Sequence, residues 1–553
     1  MNQNLLTQFI NEALKSDLKD KSDFYLFKRR FSKTHKIPFY TNNVILAHYR
    51  KLVNDGMFKE NNKFVRLLRI RDIRTLSGIA SIGVHTKPLP CPGKCIYCPT
   101  EKGMPKSYLS TQPAVMRSMG QMFDPYRMVK ARLRAYYENG HPTDKCELIV
   151  MGGTWSFHSK LYQIWYLKRC MDAFNDGIKS SRRSKTDINE ILESKNYKQT
   201  NISYKLLLGK LKRAQVLNEK AYNRVVGITL ETRPDFVSTK EVRMMRELGA
   251  TRVEMGVQST HDHILDINKR GHKVKATIRA TQLYKDAGFK ITYHLMPGLY
   301  KATLKNDLDM FHEIFENQDF QPDQIKIYPT IVSEFSELYD LWKSGKYKPY
   351  SDKQLKILLK EIKLLCPPYI RIARLFRDIP KQSIAGGMQI TNIRQIILNE
   401  LKQEGKSCRC IRCREAGGIS ISQKDVRLVK RVYKASGGTE IFLSYESKDY
   451  STIFAFCRLR FPKNKNKTHY IEALQNSALI RELHTYGEMI PLANNKGKTQ
   501  HIGFGKKLMH EAEKLSLKKG YKKIAVISGI GVRGYYQKLG YRLKDEYMVR
   551  NLE

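Results

Sequence analysis

The rhythm of apolar and polar positions changes twice along the chain. Residues 1–75 alternate helical segments with basic runs such as Lys28-Arg29-Arg30 and Arg69-Ile70-Arg71, which predicts a small basic helical module. From about 76 to 400, short apolar runs are separated by helical stretches. The runs Leu148–Met151, Val226–Leu230, Arg252–Val257, Lys290–Leu295 and Gln324–Tyr328 read as strands. Strands alternating with amphipathic helices predict a parallel βα architecture, closed or partly closed into a barrel. Residues 178–215, rich in Lys, Ser and Asn, read as a mobile surface insertion in it. A linker, 401–424, leads to a third unit, 425–553. That unit reads strand, strand, helix-rich middle, a glycine turn before the helix Lys506–Leu517, and the strand Lys523–Ile527. A mixed α/β domain of this size is ordinary.

Composition narrows the class. A chain of 553 residues is too long for one average domain, and 41% hydrophobic residues suffice for several cores. No apolar run approaches the ~18 residues of a spanning helix. The N-terminus lacks a basic patch followed by an apolar stretch, so no secretory signal is expected. These features predict a cytoplasmic protein with no membrane partner. Lys and Arg number 99 against 53 Asp and Glu, a net charge of +46. Such an excess attracts polyanions, nucleic acid above all, although a merely solvated basic surface would look the same.

Six of the ten cysteines fall into two tight triplets, a pattern of metal binding rather than of a secreted disulfide framework. The first, Cys91-Pro-Gly-Lys-Cys95-Ile-Tyr97-Cys98, has C-x3-C-x2-C spacing. Three thiolates leave one iron of a [4Fe–4S] cluster without a protein ligand, open to a chelating substrate. A structural zinc loop would need a fourth nearby Cys or His, which the loop lacks. With an aromatic residue before the last cysteine and a βα barrel following, the segment resembles the signature of radical S-adenosylmethionine enzymes. Downstream, Met151-Gly152-Gly153-Thr154 ends a strand, and Gly152 and Gly153 would let backbone approach S-adenosylmethionine closely. The second triplet, Cys408, Cys410 and Cys413, has C-x-C-x2-C spacing and predicts a structural zinc site, with Cys366 or a histidine as fourth ligand.

Gln500-His501-Ile502-Gly503-Phe504-Gly505 fits the Q-x-x-G-x-G loop of GNAT-type acetyltransferases, whose backbone N–H groups meet the coenzyme A pyrophosphate at a helix start. Further strings carry a more specific resemblance. They include Gly227-Ile228-Thr229-Leu230-Glu231-Thr232-Arg233-Pro234-Asp235, Glu254-Met255-Gly256-Val257-Gln258-Ser259, Asn268-Lys269-Arg270-Gly271-His272 and Lys538-Leu539-Gly540-Tyr541. Together they resemble the catalytic subunit of Elongator over roughly residues 70–553.

The resemblance implies an α/β fold: a radical-SAM partial βα barrel plus a GNAT-like acetyltransferase domain, behind a basic helical N-terminal module. It implies a tRNA uridine acetyltransferase that makes 5-carboxymethyluridine at the wobble position from acetyl-CoA. The implied partners are tRNA, Elongator-type accessory subunits and an electron donor. It also implies that Lys145 and Tyr536 act on acetyl-CoA, held by Glu482, Leu483, His484, Thr485, Phe504, Gly505 and Lys506. The rival reading is a protein-lysine acetyltransferase with a structural iron–sulfur domain, which requires a carboxylate base near the thioester.

Overall fold

The computed structural model describes residues 3–70, 75, 78–178, 204–390, 392–417, 425–486 and 503–552. Four helices open the chain: α1 (Gln3–Lys15), α2 (Lys21–Thr34), α3 (Asn42–Asn54) and α4 (Asn62–Leu68). Their apolar stripes meet around Phe9, whose ring lies 5.1 Å from Phe31 and 5.3 Å from Phe27. Asp20 caps α2 by accepting from the backbone N–H groups of Ser22 and Asp23. The bundle leans on the next domain through Arg50, which stacks 3.6 Å from the Tyr137 ring, and Arg69, which donates to the Gly140 carbonyl.

Seven parallel strands follow in the sheet order β1 (Ala80–His85), β2 (Lys145–Met151), β3 (Arg224–Thr232), β4 (Arg252–Gln258), β5 (Lys290–Leu295), β6 (Gln324–Ile327) and β7 (Arg371–Arg374). No pairing joins β1 to β7 among the described residues, so the barrel is partly closed and has a lateral opening. On β2 one face (Cys146, Leu148, Val150) is buried against helices α6 (Pro125–Glu138) and α7 (Lys160–Asp176). The other face turns inward. The strand begins at Lys145, three residues earlier than the apolar run suggested, because a polar residue at the strand's start still serves the ladder.

Two expectations are corrected. Within 178–215, residues 179–203 lie outside the described residues, but Tyr204–Asn218 is a helix, not a mobile insertion. It buries Leu207, Leu211 and Ala214, and Asn218 donates to Asn175 of α7 at 2.9 Å. The polar bias of the stretch hid its apolar stripe. In the last unit, the described residues of the middle are not rich in helices. It holds the strands β10 (Ile453–Phe461) and β11 (Ser477–Thr485) with short 3-10 turns between them. Every residue of β10 is buried, so the strand shows no alternation to read.

That unit forms a second seven-stranded sheet, ordered β13 (Arg542–Lys544), β14 (Tyr547–Asn551), β12 (Lys523–Val526), β11, β10, β9 (Gly438–Ser447), β8 (Val426–Ala435). It is antiparallel except where β11 and β12 run parallel. One face carries the helix Phe504–Lys518; the other covers the N-terminal ends of the barrel strands. There Lys290 of β5 pairs with Glu482 of β11 at 3.4 Å, and Arg371 of β7 donates to the Tyr486 hydroxyl.

The two domains share buried charge. Arg481 forks onto Asp323 at 2.5 and 2.9 Å and reaches Glu440 at 3.0 Å, while Arg458 lies 3.5 Å from Asp323. Arg460 ties Glu440 to Asp286, and Lys285 lies 3.7 Å from Glu440. Burial alone would neutralise Asp323, but Arg481, Lys285 and Arg458 hold its carboxyl far below the ordinary range. At Gly529 the domains meet backbone to backbone: a Cβ there would stand 2.0 Å from the Val226 carbonyl oxygen. Among the described residues no helix is long and apolar enough to cross a membrane.

Candidate functional site

The loop after β1 brings Cys91, Cys95 and Cys98 to the C-terminal end of the barrel strands, where parallel βα folds place their ligands. Arg270 Nη1 donates to Cys95 Sγ at 3.6 Å, and Thr154 Oγ1 lies 3.6 Å from Cys91 Sγ. Burial opposes ionisation of Cys95, yet Arg270 and Tyr97 hold its thiol below the usual value. Burial and Cys95 together push Cys98 up to about 12.

Spacing of the sulfurs separates the two triplets. Ligands of one tetrahedral zinc, at about 2.3 Å from the metal, stand about 3.8 Å apart. Cys408, Cys410 and Cys413 offer sulfurs within 4.8 Å of one another, and among the described residues no other such group of three occurs. The first triplet is not grouped in that way, and its C-x3-C-x2-C loop suits a cluster whose irons each take one thiolate. Near the second triplet, Lys363 Nζ donates to Cys413 Sγ at 3.4 Å. Cys366 is buried close enough that Cys410 and Cys413 help burial hold its thiol protonated.

The Gly152-Gly153 turn ends β2 beside the cysteine loop. Gly152 has φ +120° and a Cβ would meet Thr86 Oγ1 at 2.3 Å; Gly153 has φ +70° and open space before it. Only glycine fits both conditions, and the turn offers a cradle for a ligand. Gln258, at the end of β4 with φ 71°, carries a buried Oε1 with no hydrogen-bond partner. Gly153 and Gln258 border a cavity of about 430 Å³, within the range of small-molecule sites.

The cavity walls are the inward faces of the strands. His294 of β5 lies 2.9 Å from Glu254 of β4 and 3.5 Å from Glu231 of β3. Lys326 of β6 pairs with Glu254. Burial would raise the Glu254 carboxyl, but Lys326 and His294 win and hold it well below its ordinary value. The mouth between β1 and β7 is basic: Arg117, Arg132, Arg374 and Arg377 line it, and Arg377 stacks 4.5 Å from the Tyr108 ring.

At the opposite end of the barrel lies the acetyltransferase-like cleft. β11 pairs with β12 only from Ser477 to Ile480, and the Ile527 N–H closes the ladder on the Ile480 carbonyl. Beyond that point β11 keeps its pairing with β10 alone, so Glu482–Thr485 have one backbone edge free of β12. Gln500, His501 and Ile502 lie outside the described residues. Gly503 is left-handed at φ 69° and starts the helix Phe504–Lys518. The Phe504 ring stacks 4.4 Å from Tyr445, Lys506 is exposed, and a Cβ on Gly505 would meet the Tyr535 hydroxyl at 3.3 Å. Tyr536 is buried behind it, near Cys457, and burial keeps its phenol protonated. Lys145, at the start of β2, is near enough to His484 to act on its charge. Burial, aided by Arg371, Lys290 and Lys145 and opposed by Glu482, lowers His484 to about 4.

The profile of the Radical SAM superfamily fits residues 90–312, and that of the Radical_SAM C-terminal domain fits 322–403. A tRNA uridine(34) acetyltransferase of Methanocaldococcus jannaschii is 40% identical over 566 residues, covering 99% of this chain and 97% of the relative. The chain belongs to the tRNA uridine(34) acetyltransferase family. Elongator complex protein 3 of Homo sapiens is 38% identical, over 88% of this chain and 86% of its own length. Among solved structures, the archaeal Methanocaldococcus infernus Elp3 with an N-terminal deletion matches 86% of this chain and 100% of its own, at 39% identity and a TM-score of 0.71.

Glu231, Arg233, Glu254, Gln258 and Arg270 of this site lie inside sequence strings whose spacing alone gives them no role. His294 and Lys326 were likewise unassigned. A signal did exist. A parallel strand covered on both faces reads as continuously apolar, so Arg252, Glu254 and Gln258 at even spacing on β4 mark a polar inner face.

Proposed function

We propose that this enzyme makes 5-carboxymethyluridine at the wobble position of tRNA from acetyl-CoA by radical chemistry. The observation that carries the reading is the packing of the β8–β14 sheet, through the buried ion pairs of Arg481 with Asp323 and Glu440, onto a barrel whose cavity is lined by the three cysteines. Cys91, Cys95 and Cys98 would hold the [4Fe–4S] cluster, and Gly152 and Gly153 the S-adenosylmethionine. When bound, these supply the carbon radical needed to activate an unactivated methyl group. Glu482, Leu483, His484 and Thr485 on the free edge of β11, with Phe504, Gly505 and Lys506 at the helix start, would hold acetyl-CoA. Lys145 and Tyr536 would act at its thioester. Cys408, Cys410 and Cys413 would hold structural zinc between the domains.

The tRNA would reach the cavity through the lateral mouth, where Arg117, Arg132, Arg374 and Arg377 meet phosphates while one base enters. The basic module 1–75 would add sequence-independent affinity. Accessory subunits and an electron donor complete the expected partners. Transfer to protein lysine is disfavoured by Glu482, the carboxylate of the cleft. Burial alone would raise it, but Lys290 and Arg458 hold it at about 2, which makes it a poor base.

The test is mass spectrometry of wobble uridines after anaerobic incubation of tRNA with the reconstituted enzyme, acetyl-CoA, S-adenosylmethionine and a reductant. A carboxymethyl group that vanishes when either cofactor is omitted is expected. Acetyl groups on peptide lysines with unmodified tRNA would overturn the reading.

A further inference from the structure

The two candidate sites stand at opposite ends of one barrel. Gly152, Gly153 and the cysteine loop lie past the C-terminal end of β2, whereas Lys145 and its neighbour His484 lie at the N-terminal end. The six residue steps from Lys145 to Met151 span roughly 20 Å at about 3.3 Å each. A radical formed at one end must nevertheless meet an acetyl group presented at the other.

The barrel interior between them is polar and only thinly closed. Above, the cavity reaches down to Glu231, Glu254, His294 and Lys326. Below it lies a single ionic layer: Arg252 Nη2 is 3.0 Å from Glu147 and 3.9 Å from Glu254, and Thr229 reaches Glu147 at 3.4 Å. Beneath that layer are Lys145, Lys290 and Glu482. Buried polar atoms without hydrogen-bond partners mark the whole length: His484 Nε2 at the cleft, Arg252 Nε and Thr292 Oγ1 in the interior, and Gln258 Oε1 at the top. Such atoms are costly unless something polar completes them. A file of them suits an arm that carries amides, as the pantetheine of coenzyme A does. At the level of the ionic layer β3 has Gly227, in ordinary backbone conformation, where a Cβ would be 3.4 Å from Thr251 Oγ1 and 3.6 Å from Glu147 Oε1. Glycine there keeps the interior wide.

We infer that the barrel interior is the passage along which the acetyl-bearing arm of coenzyme A reaches the radical centre, with Arg252 as the side chain that must swing aside. The inference rests on acetyl-CoA binding at the β11 cleft, so the test measures that binding separately.

Thr292→Cys places a thiol in the middle of the passage by a near-isosteric change. Its reaction with methyl methanethiosulfonate, followed by peptide mass spectrometry, is compared under three conditions. These are no ligand, the nucleotide half of coenzyme A alone, and an acetyl-CoA analogue with methylene in place of the thioester sulfur. At analogue concentrations about ten times its Kd the thiol should react about tenfold more slowly, and the nucleotide half should give no protection. Bound analogue without protection, or a thiol that never reacts, would overturn the passage. Failure of the analogue to bind, measured by calorimetry, would instead overturn the acetyl-CoA assignment and the passage with it.

Gly227→Leu provides a second, independent arm. With unchanged iron content and melting temperature, it should lower carboxymethyluridine formation about 100-fold, as a displaced reacting group does. Analogue affinity for the outer cleft and abortive formation of deoxyadenosine should persist. Full product formation in folded Gly227→Leu would also refute the passage.

Discussion

The two ends of the barrel solve opposite problems with similar residues. At the C-terminal end charged and polar groups border open space: Arg233 leaves Nη1 buried without a partner beside the cysteine loop, Gln258 leaves Oε1, and the cavity opens sideways between β1 and β7. At the N-terminal end Arg481, Arg458, Arg460, Asp323 and Glu440 are fully buried and pair with opposite charges across the domain boundary, although Arg481 Nε and Arg458 Nη1 stay without a hydrogen bond. The first arrangement turns donors and acceptors toward open space; the second is a joint. Buried ion pairs give little net stability over apolar packing, yet removing one partner is severe because the other charge is stranded. The joint thus resists separation of the domains, because parting them would strand these charges.

The largest effect should come from the open end. Replacing Cys91, Cys95 and Cys98 with alanine should abolish iron binding, read by elemental analysis of reconstituted protein, and all tRNA modification. Thermal stability of the domain joint should hardly change. Iron retained by the triple variant would show that another site binds it.

Next is the joint itself. Asp323→Ala strands Arg481, Arg458 and Lys285, and should cost about 3–5 kcal/mol in a denaturant titration. Iron content per folded molecule should stay normal. A loss within the scatter of surface substitutions would mean that the charges are hydrated and the joint is loose. Between the two in character is the Cys408, Cys410 and Cys413 site. Triple substitution there should remove zinc and lower stability without altering the chemistry, checked by zinc analysis beside product formation.

A smaller effect concerns acid. Burial, with Arg377 and Arg117, lowers His85 to about 3, and His484 lies at about 4. Both folded values are below the unfolded value of about 6.5. The unfolded chain therefore binds these protons first, so the full stability holds above about pH 6.5 and drains away as pH falls toward 4. Denaturation midpoints of cluster-free protein across that range should fall with pH, and His85→Gln should flatten the slope. An unchanged slope would place the acid sensitivity elsewhere.

The smallest effect distinguishes the paired tyrosines. Tyr535 places its hydroxyl beside Gly505, whereas Tyr536 is buried behind it. Tyr535→Phe should weaken acetyl-CoA binding about fivefold, the worth of one hydrogen bond, by calorimetry. Tyr536→Phe should leave binding intact and slow only the tRNA-stimulated release of coenzyme A. Reversed effects would exchange their roles.

Much of the fold was legible in local pattern. Apolar rhythm marked the helical module and the parallel strands, because local periodicity follows directly from which faces are buried. Triplet spacing marked the cysteines, since Cys91, Cys95 and Cys98 fall within eight residues. The helix Tyr204–Asn218 and the strand β10 were not legible: one has its stripe masked by lysines, the other is buried on both faces. Tertiary structure alone decided what meets what. That Lys145 approaches His484, that Arg481 finds Asp323 158 positions away, and that β11 parts from β12 after Ile480 are long-range pairings. No local pattern encodes them, because they arise only when one sheet settles on the strand ends of another.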